Sequence, residues 1–292
     1  LGIGNYDSAN IIHSNGKFYL LVGTSTSNRD HFYIVDAKTL YYENSAVVGA
    51  NLSGLTILNE QYGLVTGDGI RRIDLKSLNN VRIKNERLLC FYNSIIYNGK
   101  VLSNDTYKDE SKVKYYDVNE LIAAKEGEAP AVTELDIIQK QKINFVLAKD
   151  GNVYTLESAD NGCNIVKIKN DFTLEKVFAN FQPAKGPYHS SPTIGMVASE
   201  TENIIYLVST DGAIYKYILG DSDSLKAPFI AAESGVSITA PLQLNQQSGE
   251  LYVTYTEERK DESKIVVYSK DGKVLHTVDC GESVPSQILF NN

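Results

Sequence analysis

Hydrophobic and polar residues alternate along short stretches of this chain, and similar stretches recur from one end to the other. "HFYIVD" (31–36), "IRRIDL" (70–75), "AIYKYI" (213–218) and "KIVVYS" (264–269) are four of them, each bounded by turn-forming residues. A period of two places successive side chains on opposite faces of an extended strand. The chain is therefore predicted to consist almost entirely of β-strands.

A short motif follows each of these strands: an aspartate, a few mostly polar residues and a leucine. Six copies occur in order, ending at Leu40, Leu78, Leu121, Leu174, Leu225 and Leu275. Another type of segment, first seen as "ANIIHSN" (9–15) and last as "SQILFNN" (286–292), occurs seven times. Each repeat thus contains four strands joined by hairpins, the pattern of a blade in a β-propeller.

The repeats predict one all-β propeller domain covering residues 1–292. The predicted blades are 8–50, 51–86, 90–138, 142–182, 192–233 and 238–281, with 284–292 as the axial strand of a closing blade. Seven blades are favoured, the last completed by residues upstream of Leu1, and a six-bladed ring with a spare terminal strand is the alternative. Residues 119–129 predict a short helix within the third blade.

The charge and hydropathy of the chain limit its partners. Its 36 acidic and 28 basic residues give a net charge of −8, which repels polyanions, so nucleic acid is not an expected partner. No apolar run approaches the roughly 20 residues needed to span a bilayer, so no transmembrane segment is expected. Because the chain begins at Leu1 rather than Met, we expect that a segment upstream has been removed or omitted.

The residues that bind metals and cofactors show no recognisable spacing. Cys90, Cys163 and Cys280 form no CxxC pair, so neither a disulfide framework nor a zinc site is indicated, although pairing of two of them stays open. There is no glycine-rich phosphate loop and no dinucleotide fingerprint. No cofactor and no metal is predicted.

Three segments resemble a known family. "GKFYLLVG" (16–23), "FYIVDAKTL" (32–40) and "VPSQILF" (284–290) resemble the YncE-like, YVTN-type propellers found as secreted or lipid-anchored proteins of Bacteroidetes. More distantly, the chain is similar to BtuG-type surface lipoproteins, which bind corrinoids and pass them to a transporter. The resemblance implies a periplasmic, outer-membrane-anchored or cell-surface location, a lipid anchor upstream, and either a monomer or a member of an outer-membrane complex.

Ligand-binding residues are expected on the loops at one end of the blades, where binding sites of propellers usually lie. These loops join the second strand of a blade to the third, or one blade to the next. We assign His31 and the segment "KGPYHSSP" (185–192) to such loops. The candidate ligand-binding residues are Tyr6, Arg29, His31, Asn51, Tyr92, Lys185, Tyr188 and His189.

The expected function is ligand binding without catalysis. His189 and Ser190 are adjacent and lack an identified acidic partner, so no catalytic residue is assigned. The favoured hypothesis is an exported propeller that binds a small molecule, a glycan or a protein in nutrient capture at the cell surface, with a corrinoid among the small molecules. The alternative is a hydrolase or lyase of propeller type acting at the same loops.

Overall fold

The computed structural model describes most of the chain and divides it into two compact units, Leu1–Lys140 and Gln141–Phe290. The described residues are 8–23, 29–50, 52, 54–67, 69–84, 94–104, 111–128, 130–139, 145–184, 195–257, 262–282, 285, 288 and 290. Each unit contains three antiparallel sheets.

The first unit contains three four-stranded sheets, each of which follows chain order along the sequence. The first sheet is formed by β1 (Ser8–Ser14), β2 (Lys17–Gly23), β3 (Asp30–Asp36) and β4 (Tyr42–Gly49). The second is formed by β5 (Gly54–Ile57), β6 (Tyr62–Gly67), β7 (Gly69–Asp74) and β8 (Asn80–Lys84). The third is formed by β9 (Ile95–Tyr97), β10 (Lys100–Asn104), β11 (Ser111–Asp117) and β12 (Val132–Gln139), with α1 (Val118–Ala123) between its last two strands.

The second unit contains the other three sheets. The fourth sheet is formed by β13 (Val146–Leu147), β14 (Val153–Ala159), β15 (Gly162–Ile168) and β16 (Leu174–Phe181). The fifth is formed by β17 (Met196–Ala198), β18 (Ile204–Val208) and β19 (Ile214–Ile218), followed by a 3-10 turn (Ser222–Leu225). The sixth is formed by β20 (Val236–Ile238), β21 (Gln243–Leu244), β22 (Leu251–Glu257), β23 (Ser263–Tyr268) and β24 (Val274–Gly281).

These six sheets are six blades of the β-propeller fold class, so the predicted all-β propeller is confirmed. In the fifth blade, Ile230 pairs with Ile214 at the place of a fourth strand. In the sixth, β20 and β21 both pair with β22, so the first strand is divided into two pieces. The prediction that all of this forms one domain stays a prediction.

The blade count corresponds to the alternative of six rather than the favoured seven. Within the predicted axial strand 284–292, the described residues Pro285, Ile288 and Phe290 lie in no strand, and the other positions lie outside the described residues. Pro285 accepts a hydrogen bond from Thr254 through its carbonyl, and the Phe290 ring packs edge-on against Tyr252 at 5.0 Å. Alternation of hydrophobic and polar residues predicts that a segment is extended. A strand of a blade must also pair with a neighbouring strand, and the alternation does not show whether that neighbour exists.

The recurring aspartate motif is a hydrogen-bonded turn at the end of the third strand. The Asp36 carboxylate accepts hydrogen bonds from the backbone N–H groups of Lys38 and Thr39, and Asp74 accepts them from Lys76 and Ser77 in the same way. Because the short side chain replaces a backbone acceptor, the strand ends in a compact turn. We call this end of each blade the turn end and the opposite end the loop end.

The third blade uses the same motif to begin its helix. Asp117 is the N-cap of α1 and accepts from the N–H groups of Asn119 and Glu120, which satisfies two donors that a helix leaves unpaired. At the other end of α1, Arg72 donates to the carbonyls of Ile122 and Ala124. The predicted helix within 119–129 is therefore confirmed, although it is shorter than the predicted segment.

These turns predict a loss of stability in acid. Hydrogen bonds, chiefly from Thr39 to Asp36 and from Thr173 to Asp171, hold the pKa of each carboxyl below its ordinary value of 3.8. A lowered pKa in the folded state contributes stability above the unfolded value, and this contribution is lost as the pH falls through the folded pKa. Denaturant unfolding at pH 6 and pH 3 should show a smaller acid loss in an Asp36→Asn/Asp171→Asn variant, because asparagine keeps an acceptor without titrating. Equal losses in both proteins would contradict the assignment.

Buried side chains pack neighbouring blades together within each unit. Tyr19, Leu21, Phe32 and Ile34 of the first blade form one cluster with residues of the second blade that include Val65 and Ile73. A comparable cluster joins the fourth and fifth blades through Leu156, Ile165, Leu207 and Tyr217. Such clusters fix one blade against the next within each unit.

Candidate functional site

Two of the eight predicted ligand-binding residues fall within the described part of the chain. Arg29 is exposed and immediately precedes β3 at the loop end of the first blade. The second is His31, which lies in β3. The remaining six lie outside the described residues: Tyr6, Asn51, Tyr92, Lys185, Tyr188 and His189. Their assignment to a ligand site stays a prediction.

His31 lies in a strand rather than in the predicted loop. It is the second residue of β3 and pairs with Val22 of β2 and Val47 of β4. Its ring stacks on that of Tyr33, with centroids 5.9 Å apart and an angle of 20° between the planes. Residues two apart in a strand lie on the same face, so the strand itself produces this stack near the loop end.

A buried carboxylate attaches the loop end of the first blade to the chain leading into the second. Asp30 is 2% exposed, and its Oδ2 accepts a hydrogen bond from the backbone N–H of Leu52. Asp30 also pairs with Gly49, the last residue of β4. Because the carboxylate bonds a backbone donor of the connection, it fixes the position of this connection.

Two arginines face each other across the last two strands of the second blade. Arg71 of β7 is directly paired with Arg82 of β8, beside an irregularity in the register between Ile70 and Arg71. Nη1 of Arg71 donates to Oδ1 of Asn80 at 3.2 Å, and both arginines take part in further interactions. Lys84, two residues after Arg82, lies on the same face of β8. We call Arg71, Arg82 and Lys84 the basic cluster.

Two glycines leave space for the side chains of these two arginines. A Cβ atom on Gly49 would lie 3.0 Å from Nε of Arg71. A Cβ atom on Gly69 would lie 3.2 Å from Nε of Arg82 and 2.3 Å from the backbone oxygen of Lys84. Gly69 also has a φ of +109°, a conformation that residues with a side chain rarely adopt. The sequence therefore keeps space for both arginines at this end of the blade.

The basic cluster and Arg29 place four cationic side chains at the loop end of the first two blades, where the buried Asp30 carboxylate also lies, in a chain whose net charge is −8. Guanidinium groups are planar, always charged, and suited to binding carboxylates and phosphates through two hydrogen bonds. The arrangement can therefore bind an anionic group. Sequence reasoning predicted Arg29 but missed Arg71, Arg82 and Lys84, although the adjacent Arg71 and Arg72 and the alternation of Arg82 with Lys84 could have indicated them.

Within the described residues, the thiols and the other metal-binding side chains form no metal site. Cys163 is buried, Cys280 is partly buried, and both are free thiols, while Cys90 lies outside the described residues. Burial raises the pKa of the Cys163 thiol to about 11, so it is protonated at neutral pH. Across the described ranges, no three His, Cys, Asp or Glu side chains lie close enough together to hold a metal ion.

The described part of the chain contains no helix long and apolar enough to cross a membrane.

A family model described as "Domain of unknown function (DUF5074)" matches residues 5–291, which is nearly the whole chain. The chain belongs to the DUF5074 family. No curated protein matches this DUF5074 chain.

Solved structures of several propellers are similar to the DUF5074 chain. A catalytically inactive variant of virginiamycin B lyase from Staphylococcus aureus, solved with quinupristin, has a TM-score of 0.57 and 14% identity, covering 100% of this chain and 91% of the other. The β-propeller domain of Cps50 (Swd1), named for Myceliophteria thermophila, has a TM-score of 0.56 and 11% identity over 96% of this chain and 91% of the other. At these identities, the likeness supports the shared fold and carries no activity to the DUF5074 chain.

Two longer enzymes are similar over only part of their length. A puromycin hydrolase has a TM-score of 0.60 and 13% identity, and the match covers 96% of this chain and 46% of the hydrolase. For a prolyl endopeptidase the TM-score is 0.56 and the identity 11%, with 95% of this chain and 43% of the other covered. The DUF5074 chain thus spans less than half the length of either enzyme.

Proposed function

We propose that this chain is a non-catalytic binding protein that binds a small anionic molecule at the loop end of its first two blades. The observation that carries the proposal is the direct pairing of Arg71 with Arg82, with two glycines leaving space for their guanidinium groups. Arg29 and the stacked rings of His31 and Tyr33 lie at the same end of the first blade. They extend the proposed surface beyond the basic cluster.

The energetic cost of this pairing supports a role in binding. Like charges placed directly opposite each other across two strands destabilise a sheet. Deviations of this kind from local folding rules are typical of functional sites. An oxyanion that accepts from the guanidinium groups would add charge-assisted hydrogen bonds to the interactions that both arginines already make.

A corrinoid is the ligand that we propose to test first. The resemblance to surface lipoproteins that bind corrinoids motivates the choice, and the phosphodiester of cobalamin is an anionic group that arginines can bind. Under this proposal, the protein is exported and captures its ligand at the cell envelope, alone or in an outer-membrane complex. A glycan, a protein ligand or catalysis at the same loops would be alternative outcomes of the test.

A thermal-shift experiment tests the proposal. A ligand at 100 times its Kd stabilises the native state by about 2.7 kcal/mol, which raises the Tm by about 5 °C in a protein of this size. We expect cobalamin to raise the Tm of the whole chain, and neutral glucose to leave it unchanged. Arg82→Met should remove most of the shift.

The matched control is Lys76→Met, which removes an exposed cation at the turn end of the same blade and should leave the shift intact. The Tm of each variant without ligand corrects for any loss of stability. A full shift in Arg82→Met, or an equal shift with neutral glucose, would contradict anion binding by the basic cluster. Consumption of a ligand during the assay would favour the hydrolase or lyase alternative.

A further inference from the structure

A polar cavity of about 270 Å³ lies in the second unit, between the fourth sheet and the end of β19. At about 30 Å³ per water molecule, it has room for roughly nine waters, which is the space of one small metabolite rather than of a polymer. Tyr154, Lys167, Glu175 and Tyr217 are among the residues that line it. The basic cluster belongs to the first unit, so this cavity is a different site.

Three of these residues form a row across the fourth sheet. Tyr154 of β14 is paired with Lys167 of β15, which is paired with Glu175 of β16, so their side chains lie on one face. Lys176, the next residue of β16, also borders the cavity, but its side chain points to the opposite face, where Nζ lies 3.2 Å from Oε2 of Glu157. Lys176 therefore adds no charge to the cavity.

The charges of this row are balanced by neighbouring side chains. Nζ of Lys167 lies 2.8 Å from Oδ2 of Asp150, and the same oxygen accepts a hydrogen bond from Oη of Tyr154 at 2.8 Å. Oε2 of Glu175 lies 2.9 Å from Nζ of Lys169. A ligand with a net charge would have to compete with these two ion pairs, whereas a neutral ligand would leave both intact.

Tyr217 brings a buried hydroxyl group to the cavity. Its side chain belongs to a residue that is 2% exposed, and its Oη accepts a hydrogen bond from the backbone N–H of Gly220, another lining residue, at 3.4 Å. Among the residues that the structure describes, none accepts the Tyr217 proton. Burial raises the pKa of Tyr217, so the hydroxyl stays protonated at neutral pH. A buried donor of this kind favours a ligand that accepts its proton.

The paired groups keep hydrogen-bonding capacity for a ligand. A lysine ammonium has three N–H donors, and Lys167 uses one for Asp150. A carboxylate accepts about four hydrogen bonds, and within the described residues Glu175 is paired through Oε2 with Lys169 alone. Together with the Tyr217 hydroxyl, the cavity thus offers donors and an acceptor without excess charge.

We propose that this cavity binds one neutral sugar ring. Hydroxyl groups of the sugar accept hydrogen bonds from Tyr217 and Lys167, and another donates to Glu175. A hydroxyl group is a donor and an acceptor at once, so it matches both kinds of lining group and reproduces the hydrogen bonds of the waters that it displaces.

Three forms of one sugar test the proposal by isothermal titration of the whole chain at pH 6. Galactose, galacturonate and galactosamine share a ring, but the second carries an anion and the third a cation. We expect galactose to bind with a Kd on the order of 1 mM, the range of a ligand with about a dozen heavy atoms at ordinary efficiency. Galacturonate and galactosamine should each bind about tenfold more weakly, because a like charge then faces Glu175 or Lys167.

Two variants test whether the sugar lies in the cavity. Tyr217→Phe keeps the buried ring and removes the hydroxyl proton, so the affinity for galactose should fall about five- to tenfold. Glu175→Gln leaves Lys169 without its anion, so galacturonate should bind this variant more tightly than the unmodified protein. The control is Tyr206→Phe, because Tyr206 is a buried tyrosine of the same unit outside the cavity lining, and it should leave all three affinities unchanged.

Equal affinities for galactose and galacturonate would overturn the proposal. The same conclusion would follow if galactose did not bind at concentrations well above the expected Kd, or if Tyr217→Phe bound it as the unmodified protein does. The anion site is tested separately, because Arg82→Met should bind galactose normally. At micromolar concentrations a ligand with a millimolar Kd leaves the Tm unchanged, so glucose stays the neutral control for cobalamin there.

Discussion

Replacing Gly69 with alanine will lower the free energy of unfolding by about 2 to 4 kcal/mol and weaken anion binding at the basic cluster. A positive φ costs a residue with a side chain about 1 kcal/mol, and forcing atoms into a packed position costs about 1 to 3 kcal/mol more. At Gly69 the new Cβ would lie 2.3 Å from the carbonyl oxygen of Lys84 and 3.2 Å from Nε of Arg82. Either β7 and β8 move apart or Arg82 moves away from Arg71.

The matched control for this effect is Gly16→Ala. Gly16 has a φ of +70° in the hairpin between β1 and β2, and no atom lies within 4 Å of the position its Cβ would take. This substitution should therefore lower the free energy of unfolding by only about 1 kcal/mol, because it adds the cost of the positive φ without a steric clash. Urea unfolding of both variants measures the two costs. Equal costs would show that the close approach at Gly69 does not constrain the blade.

Replacing Leu21 with alanine should destabilise the protein by about 2 to 5 kcal/mol. Leu21 is 1% exposed, pairs with Phe32 across β2 and β3, and belongs to the cluster that packs the first blade against the second. Removing its side chain leaves a cavity that the surrounding strands can fill only in part. The loss should appear as a lower midpoint in urea, with the slope of the transition unchanged.

Leu40→Ala is the control for Leu21, because Leu40 lies in the same blade and is 68% exposed. It removes the same atoms from a position that is mostly in contact with water, so the change should stay within about 0.5 kcal/mol. A similar loss for both leucines would contradict the assignment of Leu21 to the core between the blades.

The fold could be predicted because its signals are local. The turn at Asp36 depends on backbone donors two and three residues away, and the copies at Asp74 and Asp117 repeat the same bonds. The number of blades depends instead on pairing between distant strands. The axial strand predicted at 284–292 therefore did not show whether the fold has six or seven blades.

The sites were harder to predict, because their residues meet only after the sheets pack. The pairing of Arg71 with Arg82 depends on the hairpin register and on two glycines whose role becomes visible only in three dimensions. The loop prediction for His31 was wrong, since β3 already begins one residue earlier, at Asp30.

The most direct test of anion binding at the loop end is a calorimetric titration with cobalamin at low and physiological salt. The unmodified protein should bind it, with affinity falling as salt screens the arginines, and an Arg71→Met/Arg82→Met variant should lose at least tenfold in affinity together with most of the salt dependence. Binding of equal strength by the folded double variant, or no binding by the unmodified protein at low salt, would contradict the proposed site.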